Sequence, residues 1–347
     1  MTSGQLGFGF DDDAAAAAPH GTPPARPRKA KAPAPAVTAA PASFGGDAEA
    51  MARELERHPD YRVLRRLVPA TRFDHAPTGP VARVVILDTE TTGLDASKDK
   101  VIELALVCVS VDLQTGQPTG SVEVYDGLQD PGMPMPKIAR DITGITDTML
   151  AGQQLDLARV DSLLAGADLV IAHNAGFDRP FVEDILPQTR ELNWACSFAD
   201  IDWTAAGHSS AKLSYLASAL GWFYDAHRAE MDCHALLTVL LAELPGLGAN
   251  GLTHLLAGAR TPSYRLQATG APFAAKDLLK TRGYRWDSQG KVWHTRLVGD
   301  AALQAECEWL QEAVFARRAA KLQWERHDAK SRYSVRAGVA GWAQLSG

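Results

Sequence analysis

Apolar residues along this chain fall into short runs of two kinds. Val84 to Leu87 is a β-branched run of strand length, and Val101 to Val111 is a longer one. Ser121 to Tyr125 alternates apolar and polar positions, as a half-buried strand does. These three segments predict an antiparallel three-strand start. Beyond them the period changes. Leu157–Leu164, Asp178–Ile185, Lys212–Leu220 and Glu230–Leu244 carry apolar residues at helical spacing, and Leu169–His173 and Trp194–Ile201 read as strands between them. Hairpin strands followed by alternating helices and strands predict an α/β fold, a mixed sheet flanked by helices on both faces.

The ends read differently. Residues 47–67 predict a helix with an apolar stripe at Met51, Leu55, Val63, Leu64 and Leu67, interrupted around His58-Pro59, within a helical arm over 47–80. Its arginines, Arg53, Arg57, Arg62, Arg65 and Arg66, read as a solvated face paired with neighbouring glutamates. Residues 1–46 are rich in alanine and proline and lack the apolar content for a core, which predicts a disordered arm. Gln5 to Phe10 loosely resembles the peptides with which bacterial DNA enzymes bind the sliding clamp, although two glycines depart from that pattern. Gly246–Gly258 reads as a joint between a body over 81–246 and a small α+β module over 262–347. In that module Ala274–Thr281 predicts a short helix stopped by Gly283. Tyr284–His294 predicts a β-hairpin, and Ala301 to about Arg326 a long helix.

Composition narrows the class. With 46% hydrophobic residues in 347, the chain can bury a sizeable core. It has no apolar run of the ~18 residues a membrane span needs. Four widely spaced cysteines without a CxxC pair predict reduced thiols and a cytoplasmic setting. The net charge is −6, but residues 260–347 carry +7 against −13 for the rest. A basic end beside an acidic body is a possible nucleic-acid footprint.

Chemistry concentrates where buried strands end. The Val84–Leu87 run leads straight into Asp88-Thr89-Glu90-Thr91-Thr92-Gly93-Leu94. Residues two apart on a strand share a face, so Asp88 and Glu90 repel each other unless a cation lies between them. Such hard oxygen donors suit Mg²⁺ or Mn²⁺. The Leu169–His173 strand leads into Asn174-Ala175-Gly176-Phe177-Asp178, and His227-Arg228-Ala229-Glu230-Met231-Asp232 opens a helix. Four acids and one histidine on three segments are the residue types of two-metal phosphodiester hydrolysis, with cations ~3.5–4 Å apart and a base working near neutral pH.

These three segments resemble the motifs of the DEDDh (DnaQ-like) 3′–5′ exonucleases, a family that includes the epsilon subunit of bacterial DNA polymerase III and ribonuclease T. Ile142-Thr143-Gly144-Ile145-Thr146 resembles the family's segment between the first two motifs. A sister subfamily has tyrosine where Arg228 stands here, so the histidine class is indicated. The resemblance covers about residues 82–245. It implies a ribonuclease H-like fold and two divalent cations held by Asp88, Glu90, Asp178 and Asp232, with His227 as general base. It also implies that Thr91, Thr92 and Leu94 meet the 3′-terminal nucleotide and that Asn174 and Phe177 support the site.

The expected activity is removal of nucleotides from single-stranded or frayed DNA 3′ ends. Trimming of RNA 3′ ends is the alternative within the same chemistry. A non-catalytic nucleic-acid-binding module would be expected to have lost a ligand, and none is lost. The hairpin loosely resembles a small module that accompanies DNA-processing enzymes. Trp286 and Trp293 with Arg282, Arg285, Lys291 and Arg296 read either as a stacking and phosphate surface or as a small core, and the core is favoured.

Overall fold

Six strands of a computed structural model, which describes residues 47–346, form the sheet that carries the motifs. They are β1 (Arg72–Phe73), β2 (Val81–Thr91), β3 (Val101–Asp112), β4 (Pro118–Leu128), β5 (Leu169–Ala172) and β6 (Trp194–Cys196). Their order is β1-β4-β3-β2-β5-β6. The β2–β3–β4 portion is antiparallel, and β5 and β6 join in parallel. The mixed sheet with antiparallel opening strands is therefore the one expected. Gln5–Phe10 and the rest of the predicted N-terminal arm lie outside the described residues.

Alternation along β2 sorts its side chains onto two cores. Val84 and Ile86 face one core with Leu216, Cys233, Leu236 and Leu240; Val85 and Leu87 face the other with Val160, Leu163, Phe181 and Trp194. Helices α1 (Ala48–Glu56), α2 (Lys137–Thr143), α3 (Leu157–Leu164) and α4 (Ala175–Ile185) come first in the chain. Of these, α3 and α4 cover the second core. The first core is roofed by α5 (Leu213–Ala219) and α6 (Ala229–Leu241).

Several sequence expectations change. The helix expected over 47–67 ends at Glu56. Pro59 supplies no amide donor and disfavours helical backbone at His58, and Leu67 reaches the first core as extended chain. The pairing of its arginines with acids holds at Arg57–Glu54 and Arg65–Glu56. The strand expected over Trp194–Ile201 stops at Cys196 and turns into a short helix, Ser197–Asp200. Gly246–Gly258 is not a joint. It contains α7 (Gly251–Gly258), whose Leu252 and Leu255 are buried in the first core.

The C-terminal residues build a second, wholly antiparallel sheet. Its strands are β7 (Ser263–Gln267), β8 (Arg285–Asp287), β9 (Val292–Val298), β10 (Ala320–His327) and β11 (Val339–Leu345), in the order β8-β9-β7-β10-β11. Helices α8 (Lys276–Thr281) and α9 (Asp300–Trp309) pack on it around Leu266, Leu279, Tyr284, Leu310 and Leu322. The single long helix expected over Ala301–Arg326 is thus two elements. Ala316 and Arg317 take left-handed backbone (φ 49° and 59°), the chain reverses, and Leu322 packs from a strand.

The second sheet is locked to the first by polar groups, among them the buried Arg179, Glu183 and Arg332. Arg179 of α4 is fully buried; it binds Glu183 at 2.7 Å and donates to the carbonyls of Ala329, Lys330 and Arg332. The Trp194 amide at the start of β6 donates to Ala329 at 2.8 Å. Asp200 accepts from Arg296 at 2.8 Å and from the Tyr333 hydroxyl. Arg332 donates to Thr261 at 2.8 Å. The joint expected at Gly246–Gly258 would leave the module free of the body; these contacts tie the two together instead.

Candidate active site

The site lies where β2 outruns its parallel partner. Asp88 and Glu90 continue the Val84–Ile86 face, toward α6, and α6 presents Asp232 in its first turn. One oxygen from each of Asp88, Glu90 and Asp232 lies within 4.8 Å of the others. A register shift between Glu90 and Thr91 breaks the β2–β3 ladder there. Such bulges re-aim side chains next to active sites.

Asp178 approaches from the opposite face. Pairing of β2 with β5 covers only Val84–Ile86. Beyond it the Thr89 amide and hydroxyl both donate to Asp178 Oδ1, at 3.1 and 2.8 Å. Asp178 is 2% exposed. One of its oxygens thus holds the backbone between the two ligand positions, and its charge still bears on Asp88. The helix carrying it starts at Ala175, earlier than expected, after Asn174 turns the chain with left-handed backbone (φ 75°). Asn174 is exposed and Phe177 half-buried, tilted against Phe181 at 5.2 Å.

The four acids are poorly compensated. Burial and then the charges of Asp178, Asp232 and Glu90 push the Asp88 carboxyl well above the usual range. Glu90 is pushed up to about 8, first by burial and then by Asp232 and Glu103. Burial also raises Asp178 and Asp232. An all-oxygen donor set that repels itself fits a hard divalent cation.

Asp232 in turn organises the loop before α6. It accepts the Tyr224 hydroxyl at 2.9 Å, the His227 amide at 2.8 Å and the Arg228 amide at 3.2 Å. His227 is exposed and held at φ 67°, a conformation that costs a β-carbon residue energy and persists only when its surroundings impose it. Part of that constraint comes from a residue that sequence reasoning missed. Glu103, fully buried on β3 opposite Glu90, binds Arg228 through both oxygens (2.7 to 3.3 Å) and accepts the Ala229 amide at 2.9 Å. A lone acid inside the apolar Val101–Val111 run was the available signal, because a buried carboxylate needs a partner.

Thr91 and Thr92 are buried, and their hydroxyls serve the loop after β2. Thr91 donates to the Gly93 carbonyl at 2.6 Å, and Thr92 to Asp99 at 3.2 Å. A β-carbon at Gly93 would lie 2.5 Å from the Asp99 carboxylate, so a larger residue there would have to displace the Asp99 side chain that binds Thr92. Leu94, at the tip, is 70% exposed. With Phe177 it lines a cleft of about 550 Å³, to which Val335 of the C-terminal region also contributes. The structure therefore gathers Asp88, Glu90 and Asp232 at one point, sets Asp178 behind them, and brings Leu94 and Phe177 to a common cleft.

Residues 85–240 match the family model of the RNase_T exonucleases. This chain carries a DnaQ-like exonuclease domain. A PolC-type DNA polymerase III of Thermotoga petrophila is 30% identical over 202 residues, 56% of this chain and 14% of that protein. The DNA polymerase III subunit epsilon-like protein of Rhodobacter capsulatus is 30% identical over 178 residues, 49% of this chain and 25% of that protein. The domain thus matches a quarter or less of these relatives' length. Among solved structures, E. coli exonuclease I in complex with single-stranded DNA aligns with a TM-score of 0.41 at 18% identity, over 53% of this chain and 47% of that one. Among the described residues no helix is long and apolar enough to cross a membrane.

Proposed function

We propose that this chain is a metal-dependent 3′–5′ exonuclease that hydrolyses DNA from its 3′ end and releases 5′-mononucleotides. One observation carries the reading: Asp88, Glu90 and Asp232 converge within 4.8 Å at a strand end, with Asp178 behind them and no ion pair to any of the four among the described residues. The relatives that match the domain are named as DNA polymerase III proteins, which favours DNA over RNA.

Asp88, Glu90 and Asp232 would hold the cations, with Asp178 supplying charge and fixing the strand at Thr89. When bound, divalent cations supply Lewis-acid activation of water and charge compensation at the phosphodiester. His227 takes the proton of the attacking water, from an exposed loop tied to Asp232 and Glu103. The bond from phosphorus to the 3′ oxygen breaks; the shortened strand keeps a 3′-hydroxyl and the released nucleotide its 5′-phosphate. Leu94 and Phe177 pack against the terminal base in their cleft, and Thr91, Thr92 and Asn174 hold the loops that shape it.

The test is side-by-side digestion of 3′-labelled single-stranded DNA and RNA with Mg²⁺ or Mn²⁺, and with EDTA. Release of labelled mononucleotides from DNA, abolished by EDTA, is expected. Faster digestion of RNA overturns the substrate class, and cleavage of a circular single strand overturns the terminal pocket.

A further inference from the structure

The C-terminal sheet carries an aromatic surface that its own core leaves uncovered. Trp286 on edge strand β8 and Trp293 on β9 are directly paired across the hairpin, with ring centroids 5.4 Å apart. Trp293 packs partly on the core, but Trp286 is 52% exposed, which corrects the reading of both as core residues. Phe273 is 87% exposed. These three rings line one depression of about 370 Å³, together with Lys276 and Lys280 and, among the described residues, without an acid. Lys276 sits over the Phe273 ring at 5.8 Å. Aromatic rings of this size seldom stay so exposed without a role in binding.

None of the four cations the sequence suggested, Arg282, Arg285, Lys291 and Arg296, lines this depression. Arg282 is bound to Glu306 at 3.0 Å and lies over Trp309, and Arg296 is bound to Asp200. Both are engaged within the fold. Lys276 and Lys280 face the rings instead, within a region whose sequence carries +7.

We infer that Phe273, Trp286 and Trp293, flanked by Lys276 and Lys280, form a stacking platform for single-stranded DNA, separate from the acid cluster. Rings offer faces on which successive bases stack, and the two ammonium groups meet the phosphates between them. A lining of rings and ammonium groups gives the depression the charge complementary to a nucleic-acid strand. The choice of DNA as occupant rests on the exonuclease reading; the platform itself rests on these side chains.

The test measures binding of fluorescent dT15 to the full chain in EDTA, where no hydrolysis interferes. Trp286→Ala should weaken binding by ~5- to 150-fold, the range found for losing one base stack. Phe273→Ala, at a position exposed enough to leave the fold intact, should weaken it in the same direction. Lys276→Gln with Lys280→Gln should lower the slope of log affinity against log salt by ~0.7 for each phosphate that is no longer neutralised. All these variants should still cut a dinucleotide as fast as the unmodified chain. Unchanged dT15 affinity in Phe273→Ala together with an unchanged salt slope in the lysine variant overturns the platform. So does equal affinity for a blunt duplex of the same length. If the unmodified chain cuts nothing with Mg²⁺ or Mn²⁺ present, the exonuclease reading fails, while the binding measurement still judges the platform.

Discussion

Two groups of charges in this molecule are built on opposite plans. At the seam between the sheets, Arg179 is paired with Glu183 and Arg296 with Asp200, and Arg179 and Arg332 donate to backbone carbonyls across it. At the end of β2, Asp178 is buried and Asp88, Glu90 and Asp232 are half-buried, with no ion pair to any of the four among the described residues, and Arg228, beside them, is committed to Glu103. Burying an ion is tolerable only when it is paired. The seam meets that condition with the chain's own atoms and so contributes to structure. The acid cluster does not, which leaves it dependent on a ligand from outside.

The largest expected effect separates these two roles. Asp88→Asn or Asp232→Asn should lower hydrolysis by about a thousandfold or more, since either removes a donor from the proposed cation site. Without metal the same variants should melt at a higher temperature than the parent, because one repelling charge is gone. A thermal melt in EDTA beside a rate measurement in Mg²⁺ reads both. A variant that loses activity and stability together would place the cluster on the structural side of the comparison.

The seam should behave in the reverse sense. Arg179→Met removes the fully buried cation opposite Glu183 and its bonds to the backbone carbonyls, and breaking a buried pair from one side costs ~3–5 kcal/mol; because Glu183 keeps Ser334 and Arg336, the loss should fall at the lower end. Urea unfolding should show that loss. Ending the chain at residue 258 should cost at least as much. A truncated protein with unchanged unfolding midpoint would restore the picture of a detachable module.

What was legible beforehand follows the same division. Val84–Leu87 and Leu169–Ala172 could be read because both faces of the central sheet are covered, so its buried strands are nearly continuous apolar runs. Asp88, Glu90 and Asp178 stood out because each follows such a run, whereas Asp232 sits in the first turn of a helix. Of the second sheet only the β8–β9 hairpin showed itself. Ala320–His327 reads Ala-Lys-Leu-Gln-Trp-Glu-Arg-His, half-buried, with little to set it apart from the helix before it. The break between them falls at Ala316 and Arg317, which take left-handed backbone without a glycine to signal it. Seam and loop partners were invisible for another reason: Arg179 meets Ala329 to Arg332, and Glu103 meets Arg228, only after the sheets have formed.

Titration gives a third, smaller contrast. Glu90 has its proton affinity raised from the ordinary 4.5 to about 8. Between those values the folded chain binds more protons than the unfolded one, so its stability falls as pH rises. In EDTA the melting temperature should therefore decline from pH 5 to pH 9, most steeply above the usual carboxylate range. Mg²⁺ should reverse that decline, with its stabilising effect greatest at the alkaline end. A melting temperature independent of pH in EDTA would mean that the cluster is relieved by some other route.

The smallest effect concerns Glu103, which stands between the two plans. It is a paired charge, bound to Arg228 and to the α6 amide of Ala229, yet its charge also raises Glu90. Glu103→Gln keeps the shape and removes the ion pair. The loop from Tyr224 to Arg228 then loses one of its two anchors, while Asp232 still holds the His227 amide. Catalysis should fall by about tenfold, a cost of ~1.4 kcal/mol that suits one charge-assisted hydrogen bond. A merely structural role would lower melting temperature and leave the pH profile in place. Loss of the Glu103 charge should instead lower the proton affinity of Glu90, so the acid limb of the rate profile should move to lower pH. Glu103→Asp, which keeps the charge on a shorter stem, should keep the limb where it is while still losing rate. If Glu103→Gln and Glu103→Asp give the same profile, the charge of Glu103 does not reach the site, and its role ends at holding Arg228.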